Sequence, residues 1–163
     1  DVRYQSKADF NIFLANTRIH VECKRAVTEN NLEGLIKKAI EQIDRSCEDS
    51  DTDRGLIVLS LSKLVWMIQA ELNQGNVADE NELQSLLHPV SEKIAREIRA
   101  RYATESDNVL GLIFHYKLPF YRRSTGFPAF INRFSFVSFS DPGTANKAIS
   151  DELSCYFIQS GIQ

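Results

Sequence analysis

The chain has 163 residues, 43% of them hydrophobic and 25% charged, enough for one domain with a real core and ordinary for a globular fold. A net charge of -3 and a pI near 5.6 argue against a long, non-specific grip on phosphate backbone, though they leave room for a local basic cleft. No apolar run reaches the length of a membrane span, and no charged-then-apolar leader opens the chain.

Cys23, Cys47 and Cys155 are scattered and odd in number, and His20, His88 and His115 lack metal-ligand spacing, so neither a disulfide framework nor a zinc site is indicated. Free thiols fit a reducing setting, and a cytoplasmic location is the expectation. The chain begins at Asp1 without an initiator Met, which reads as one domain over 1–163 cut from a longer protein.

In chain order, Tyr4 to Leu14 reads as a strand and Arg18 to Lys24 as a second, joined by Ala15-Asn16-Thr17 into a hairpin. Asn30, with Glu33 three residues on, is close to a capping box. It opens a helix whose Leu32, Leu35, Ile36, Ala39, Ile40 and Ile43 share one face. The acidic stretch Glu48-Asp49-Ser50-Asp51 ends that helix near Cys47. Gly55 to Leu59 has the almost wholly apolar pattern of a strand buried on both faces. Leu64 to Leu72 reads as a helix, and Glu80 to Tyr102 as a further helical region interrupted or restarted at Pro89. Val109 to Tyr116 is a strand candidate ended by Pro119, Phe130 to Phe139 is another, and Ala145 to Ile158 is a terminal helix. This alternation predicts an α/β fold: a mixed central β-sheet flanked by helices, with an opening β-hairpin.

The chemistry is concentrated in His20-Val21-Glu22-Cys23-Lys24-Arg25. Alternate residues of a strand share a face, so Glu22 and Lys24 point one way while Val21 and Cys23 point inward to the core. With the turn at Asn16-Thr17, Asp9 falls opposite Lys24 and diagonal to Glu22. Two carboxylates at short range repel unless a cation lies between them. Mg²⁺ suits that position, because it takes one or two carboxylates, keeps several waters and completes its shell with phosphate oxygens. A lysine alongside can orient the attacking water and offset charge growing on phosphorus. The set fits hydrolysis of a phosphodiester.

Asp9 on one strand and Glu22-Cys23-Lys24 on the next, then a helix over Asn30 to Cys47 and an apolar strand over Gly55 to Leu59, resemble the signature of the restriction-endonuclease-like, or PD-(D/E)XK, nuclease superfamily. The likeness spans about Lys7 to Leu61. Ala8 stands where the family often has proline, and the eight residues before Asp9 are too few for the helix that usually precedes the hairpin. The resemblance implies a restriction-endonuclease-like core and a Mg²⁺-dependent endonuclease that also accepts Mn²⁺. Asp9, Glu22 and the backbone carbonyl of Cys23 would be metal ligands, with Lys24 acting on the water. Gln42 would be an accessory residue on the following helix, although the tyrosine that some members place four residues later is Ser46 here. DNA is the expected substrate ahead of RNA.

Two other readings stand beside the nuclease. One is a catalytically inactive restriction-endonuclease-like module used for nucleic-acid binding or protein scaffolding. The other is an interaction domain that meets a second copy or a partner subunit through its aromatic C-terminal third. Arg25, Arg122 and Arg123 are the candidate contacts to nucleic acid, the last two in a loop expected after Pro119. The bland alternative for Glu22 and Lys24 is an exposed ion pair on the polar face of a hairpin, which contributes little. Ser60-Leu61-Ser62-Lys63 matches Ser-x-x-Lys of penicillin-recognising hydrolases, but its companion motifs are absent and a strand end entering a helix explains it.

Overall fold

Apolar strands alternating with amphipathic helices are stable only when both faces of their sheet are covered. The computed structural model, which describes residues 2–3, 8–14, 16–64, 80–121, 125–141 and 143–159, has that arrangement. Its strands are β1 (Val2–Arg3), β2 (Phe10–Leu14), β3 (Thr17–Arg25), β4 (Arg54–Ser60), β5 (Val109–Tyr121) and β6 (Pro128–Ser138). Its helices are α1 (Leu32–Cys47), α2 (Glu80–Tyr102) and α3 (Ala145–Gln159). The sheet order is β1-β2-β3-β4-β5-β6, with β3, β4 and β5 mutually parallel and the flanking pairs antiparallel. The fold is therefore α/β, as expected.

Two cores flank the sheet. On one face Ile36, Ala39, Ile40 and Ile43 of α1 and Ile98 and Tyr102 of α2 pack on Ile57, Leu59, Leu112 and Phe114. On the other, Leu153 of α3 joins Ile19, Val21, Leu56, Leu110 and Ile113. The apolar run of β4 feeds both faces in alternation, which is why it carries almost no polar residue.

Several boundaries differ from the sequence reading. The first strand of the hairpin, β2, begins only at Phe10, after a bend at residues 8–9, and the short β1 pairs with it; residues 4–7 lie outside the described set. Leu14 pairs with Thr17, so the hairpin loop is residues 15–16 and the register moves by two from the expected one. Asn30 is not the cap: it lies inside a 3₁₀ turn that is capped at Thr28 and precedes α1. The Thr28 N–H donates to Asn31 Oδ1 at 3.2 Å, and a short 3₁₀ turn over Glu29–Asn31 leads into α1. Residues 62–64 are helical, and the rest of the Leu64 to Leu72 helix falls outside the described residues.

Two prolines that were expected to break elements do not. Pro89 sits inside a continuous α2 on an exposed side, where carbonyls left without a helical donor can turn to water. Pro119 lies within β5 beyond its last pair with β4, Ser60↔His115. In that stretch the backbone edge of odd-numbered residues faces the β4 side, where Lys117 N–H already turns to Ser62 Oγ at 3.0 Å. A missing N–H at 119 therefore costs no ladder bond.

Cys47 closes α1 and is buried, and burial, reinforced by the Asp53 carboxylate, pushes its thiol from 9.0 up to about 11. Because the folded state holds the proton more tightly than the unfolded chain, the associated stability is complete below pH 9 and drains away as pH rises toward 11. Two pH units of linkage correspond to about 3 kcal/mol at most. Denaturant unfolding at pH 8 and pH 11 should show that loss, and Cys47→Ala should flatten it. An equal slope in the variant would assign the alkaline loss to other groups.

Candidate functional site

β3 carries the site at the carboxyl end of the parallel strands, the end where open α/β sheets place their ligands. Its even residues face α1. On this face cross-strand pairs set Asn11 against His20 and Phe13 against Arg18, whose guanidinium lies 5.8 Å from the ring centre. The same register continued by one residue puts Asp9 opposite Glu22, not opposite Lys24.

Glu22 and Lys24 share the face, as strand phase required, and Lys24 Nζ donates to Glu22 Oε2 at 2.7 Å. Their setting is not an exposed polar patch. Glu22 is 1% exposed, and the Lys24 side chain retains 13%. The hairpin has no solvent-only face, because α1 lies over the side that carries these charges.

Asp9 is exposed at the strand end, and its Oδ2 accepts the Cys23 N–H at 2.6 Å. The reason is local. Odd residues of β3 turn their backbone groups toward β2, since Ala26 N–H turns the other way, to Ser60 O of β4 at 2.9 Å. A continued ladder would give the Cys23 N–H to the carbonyl of residue 8, but β2 has not yet begun there, and the Asp9 carboxylate takes that donor. In a strand the carbonyl of a residue points to the same side as its N–H. The Cys23 carbonyl is thus aimed at the edge where Asp9 sits.

Cys23 itself corrects the sequence reading: its side chain is exposed, not buried in the core. Val21 ahead of it is buried among residues packed with α3, and by Cys23 the strand has run past that cover. Partial desolvation, then the Asp9 carboxylate, push its thiol up, against the Lys24 ammonium and with Glu22 adding to the rise. All three candidate residues are therefore within electrostatic reach of this sulfur.

Gln42 lies on α1, with Oε1 buried and without a hydrogen-bond partner among the described residues. Ser46, at the position where a tyrosine would strengthen the resemblance, is buried and bonds back to the Gln42 carbonyl at 2.9 Å. Arg25 is exposed at the end of β3. Arg122 and Arg123 lie outside the described residues.

A buried polar group escaped the sequence reading. His20 Nε2 is 3.0 Å from Asp53 Oδ2, Ser50 Oγ donates to Asp53 Oδ1 at 2.9 Å, and Arg18 approaches the same carboxylate at 3.6 Å. Asn11 is 0% exposed, yet among the described residues both its amide atoms and His20 Nδ1 find no hydrogen-bond partner. Asn11 and His20 share the α1-facing side of the hairpin with Glu22. Asn11 and His20 stand nine positions apart, and only the hairpin register reveals them as neighbours.

Among the described residues no three His, Cys, Asp or Glu side chains form a metal-holding cluster. Asp9 and Glu22 contribute two carboxylates, and the Cys23 main chain is the other oxygen donor at this edge. A groove of about 1250 Å³ between α1 and α2, beside Glu33, Lys93 and Arg101, includes none of these residues. No described helix is long and apolar enough to cross a membrane. No family model, curated protein or solved structure matches the chain.

Proposed function

We propose that this chain is a divalent-metal-dependent endonuclease with a restriction-endonuclease-like core, hydrolysing phosphodiester bonds of DNA in preference to RNA. The observation that carries the reading is the buried Glu22 carboxylate, held by Lys24 at 2.7 Å, on a strand whose next residue fixes the Asp9 carboxylate through its N–H. Burying a carboxylate is costly, and one lysine on one oxygen is a thin return for it as a stability device. As preorganised hard-oxygen chemistry it has a clear use.

Asp9, Glu22 and the Cys23 carbonyl would hold Mg²⁺ or Mn²⁺, which suits an all-oxygen donor set. When bound, such an ion supplies a more acidic water and stabilises charge on the phosphate. Lys24 then orients the attacking water with its ammonium and offsets the negative charge that grows as the new P–O bond forms and the leaving oxygen departs with its electron pair. Glu22 fixes Lys24 from behind, so a separate positioning element is unnecessary. The sheet alignment, with β3, β4 and β5 presenting their carboxyl ends together, gives a substrate access to this edge.

A second reading is favoured by the same contacts. Asp9 and Glu22 both already have internal donors, as they would in a catalytically silent module that binds nucleic acid or scaffolds a partner.

Supercoiled plasmid and single-stranded DNA and RNA incubated with Mg²⁺ or Mn²⁺ distinguish the two. The nuclease reading expects cleavage that chelator stops and that Lys24→Ala or Asp9→Ala lowers by at least about a hundredfold. Equal cleavage by wild type and Lys24→Ala would remove the site. No cleavage with either ion, together with chelator-insensitive binding, would favour the silent module.

A further inference from the structure

We infer that the face of the sheet opposite α1 carries a track for single-stranded nucleic acid, running from Arg25 on β3 across Ser60 and His115 to the projecting β5–β6 ribbon. The inference deepens the nuclease reading by naming how the substrate strand is held, and it rests on geometry and charge separate from the metal ligands.

Strand register builds the track. Arg25 pairs with Ser60, Ser60 with His115, and His115 with Phe134, so these four residues lie in one row across four strands on one face. Three strand spacings make that row roughly 14 Å long. Cys23, exposed and bonded through its N–H to Asp9, is the next residue on this face of β3. The row thus begins at the strand end beside Asp9, on the sheet face opposite to that of Glu22 and Lys24.

Past His115 the β4 partner ends, and β5 and β6 continue as a two-stranded ribbon as far as Tyr121↔Pro128. One ribbon face is core: Tyr116, Leu118, Phe120 and Ile131 are buried. The other face presents Lys117 and Phe130, the ring being 62% exposed with the ammonium 5.0 Å from its centre. Below them His115 stacks on Phe134 at 4.5 Å and reaches Asn132 Oδ1 at 2.8 Å. Phe127, at the ribbon's far end, is 71% exposed.

Charge selects the occupant. Between Asp107 and Asp141 the sequence contains no carboxylate, in a chain whose net charge is -3; of its described cations Lys117 lies on this face, whereas Arg133, paired with Tyr116, takes the core face. An apolar protein partner would need the rings but gain nothing from an acid-free segment. Cations interleaved with exposed rings are the chemistry that holds single strands, with phosphates on the cations and bases stacked on the aromatic faces. In a duplex the bases are already stacked on one another, so exposed phenylalanines favour the single strand.

The test uses the full chain in EDTA with a fluorescein-labelled oligo-dT and its duplex, read by anisotropy. Preferential binding of the single strand is expected. Phe130→Ala should weaken it about tenfold, within the range for one base–aromatic contact. Lys117→Ala and Arg25→Ala should each lower the slope of log affinity against log salt by about 0.7. Lys147→Ala, which removes a half-buried helix cation paired with Asp151, should leave both unchanged. Wild-type affinity in Phe130→Ala, Lys117→Ala and Arg25→Ala alike, or no single-strand binding, would overturn the track. So would binding of a second copy of the chain, or of a protein, that these variants abolish while DNA binding persists. Metal-free binding separates this outcome from the cleavage assay: a working track without cleavage defeats only the nuclease, and cleavage indifferent to these variants defeats only the track.

Discussion

Lys24→Met is expected to melt well below the wild type and to recover much of that loss when Mg²⁺ or Mn²⁺ is added. Methionine keeps most of the stem that packs beneath α1 but removes the ammonium 2.7 Å from Glu22 Oε2. Removing one partner from a buried ion pair typically costs about 3–5 kcal/mol, because the remaining charge has been taken out of water without compensation. Here the Lys24 side chain keeps 13% exposure, so some water can reach the orphaned carboxylate. A loss of about 2–4 kcal/mol is the fitting expectation, equivalent to roughly 4–16 °C in a domain of this size.

The metal arm separates a functional site from a structural ion pair. In the wild type a divalent ion must share Glu22 with the ammonium, and in Lys24→Met that competition is gone. The variant should therefore bind the ion more tightly while cleaving nothing. At a concentration about a hundred times its dissociation constant, an ion that binds only the folded chain stabilises by about 2.7 kcal/mol. Thermal melts with and without Mn²⁺, repeated on Lys24→Met combined with Glu22→Gln, read the effect directly. Rescue should vanish in the double variant. A stability loss that no divalent ion alters would make Glu22–Lys24 a structural pair.

Strand phase makes part of this site legible in the sequence. Alternation alone put Glu22 and Lys24 on one face, and the apolar run of β4 announced a central strand. Register was not legible, because a two-residue loop at 15–16 and the expected one at Asn16-Thr17 leave the same hydrophobic alternation in both strands. That ambiguity moved Asp9 from opposite Lys24 to opposite Glu22. The burial of Cys23 was misjudged for a different reason: strand period tells which face a residue takes, whereas exposure depends on how far α3 reaches along it. Pro119 misled because a proline is harmless at the one edge where a ladder has already ended, and sequence does not show where a neighbouring strand stops. The buried His20–Asp53 contact joins residues 33 positions apart and has no local signature.

Gly55→Ala should destabilise the fold far more than a one-methyl change usually does, and the cost should be shared with Ile43. A Cβ at Gly55 would lie 2.1 Å from Ile43 Cγ2 and 2.8 Å from its Cγ1 and Cδ1. Ile43 is 0% exposed and wedged between α1 and the sheet, so its side chain has no open space to enter. Overpacking of this kind costs about 1–3 kcal/mol, occasionally more. Ile43→Ala alone should cost about 2–5 kcal/mol by emptying the same contact. Combining the two lets the new methyl occupy part of the space the isoleucine leaves, so the double variant should fall short of the sum by about 0.5–3 kcal/mol. Urea unfolding of the four proteins measures that coupling, and strict additivity would show that α1 does not rest on Gly55. The consequence reaches the site, because Gly55 pairs with His20, two residues before Glu22 on the strand that α1 packs against. A methyl that lifts α1 should therefore loosen the cover that keeps Glu22 buried. Cleavage by Gly55→Ala is expected to fall under conditions where the protein is still folded, and Gly55→Ala with Ile43→Ala should recover part of it.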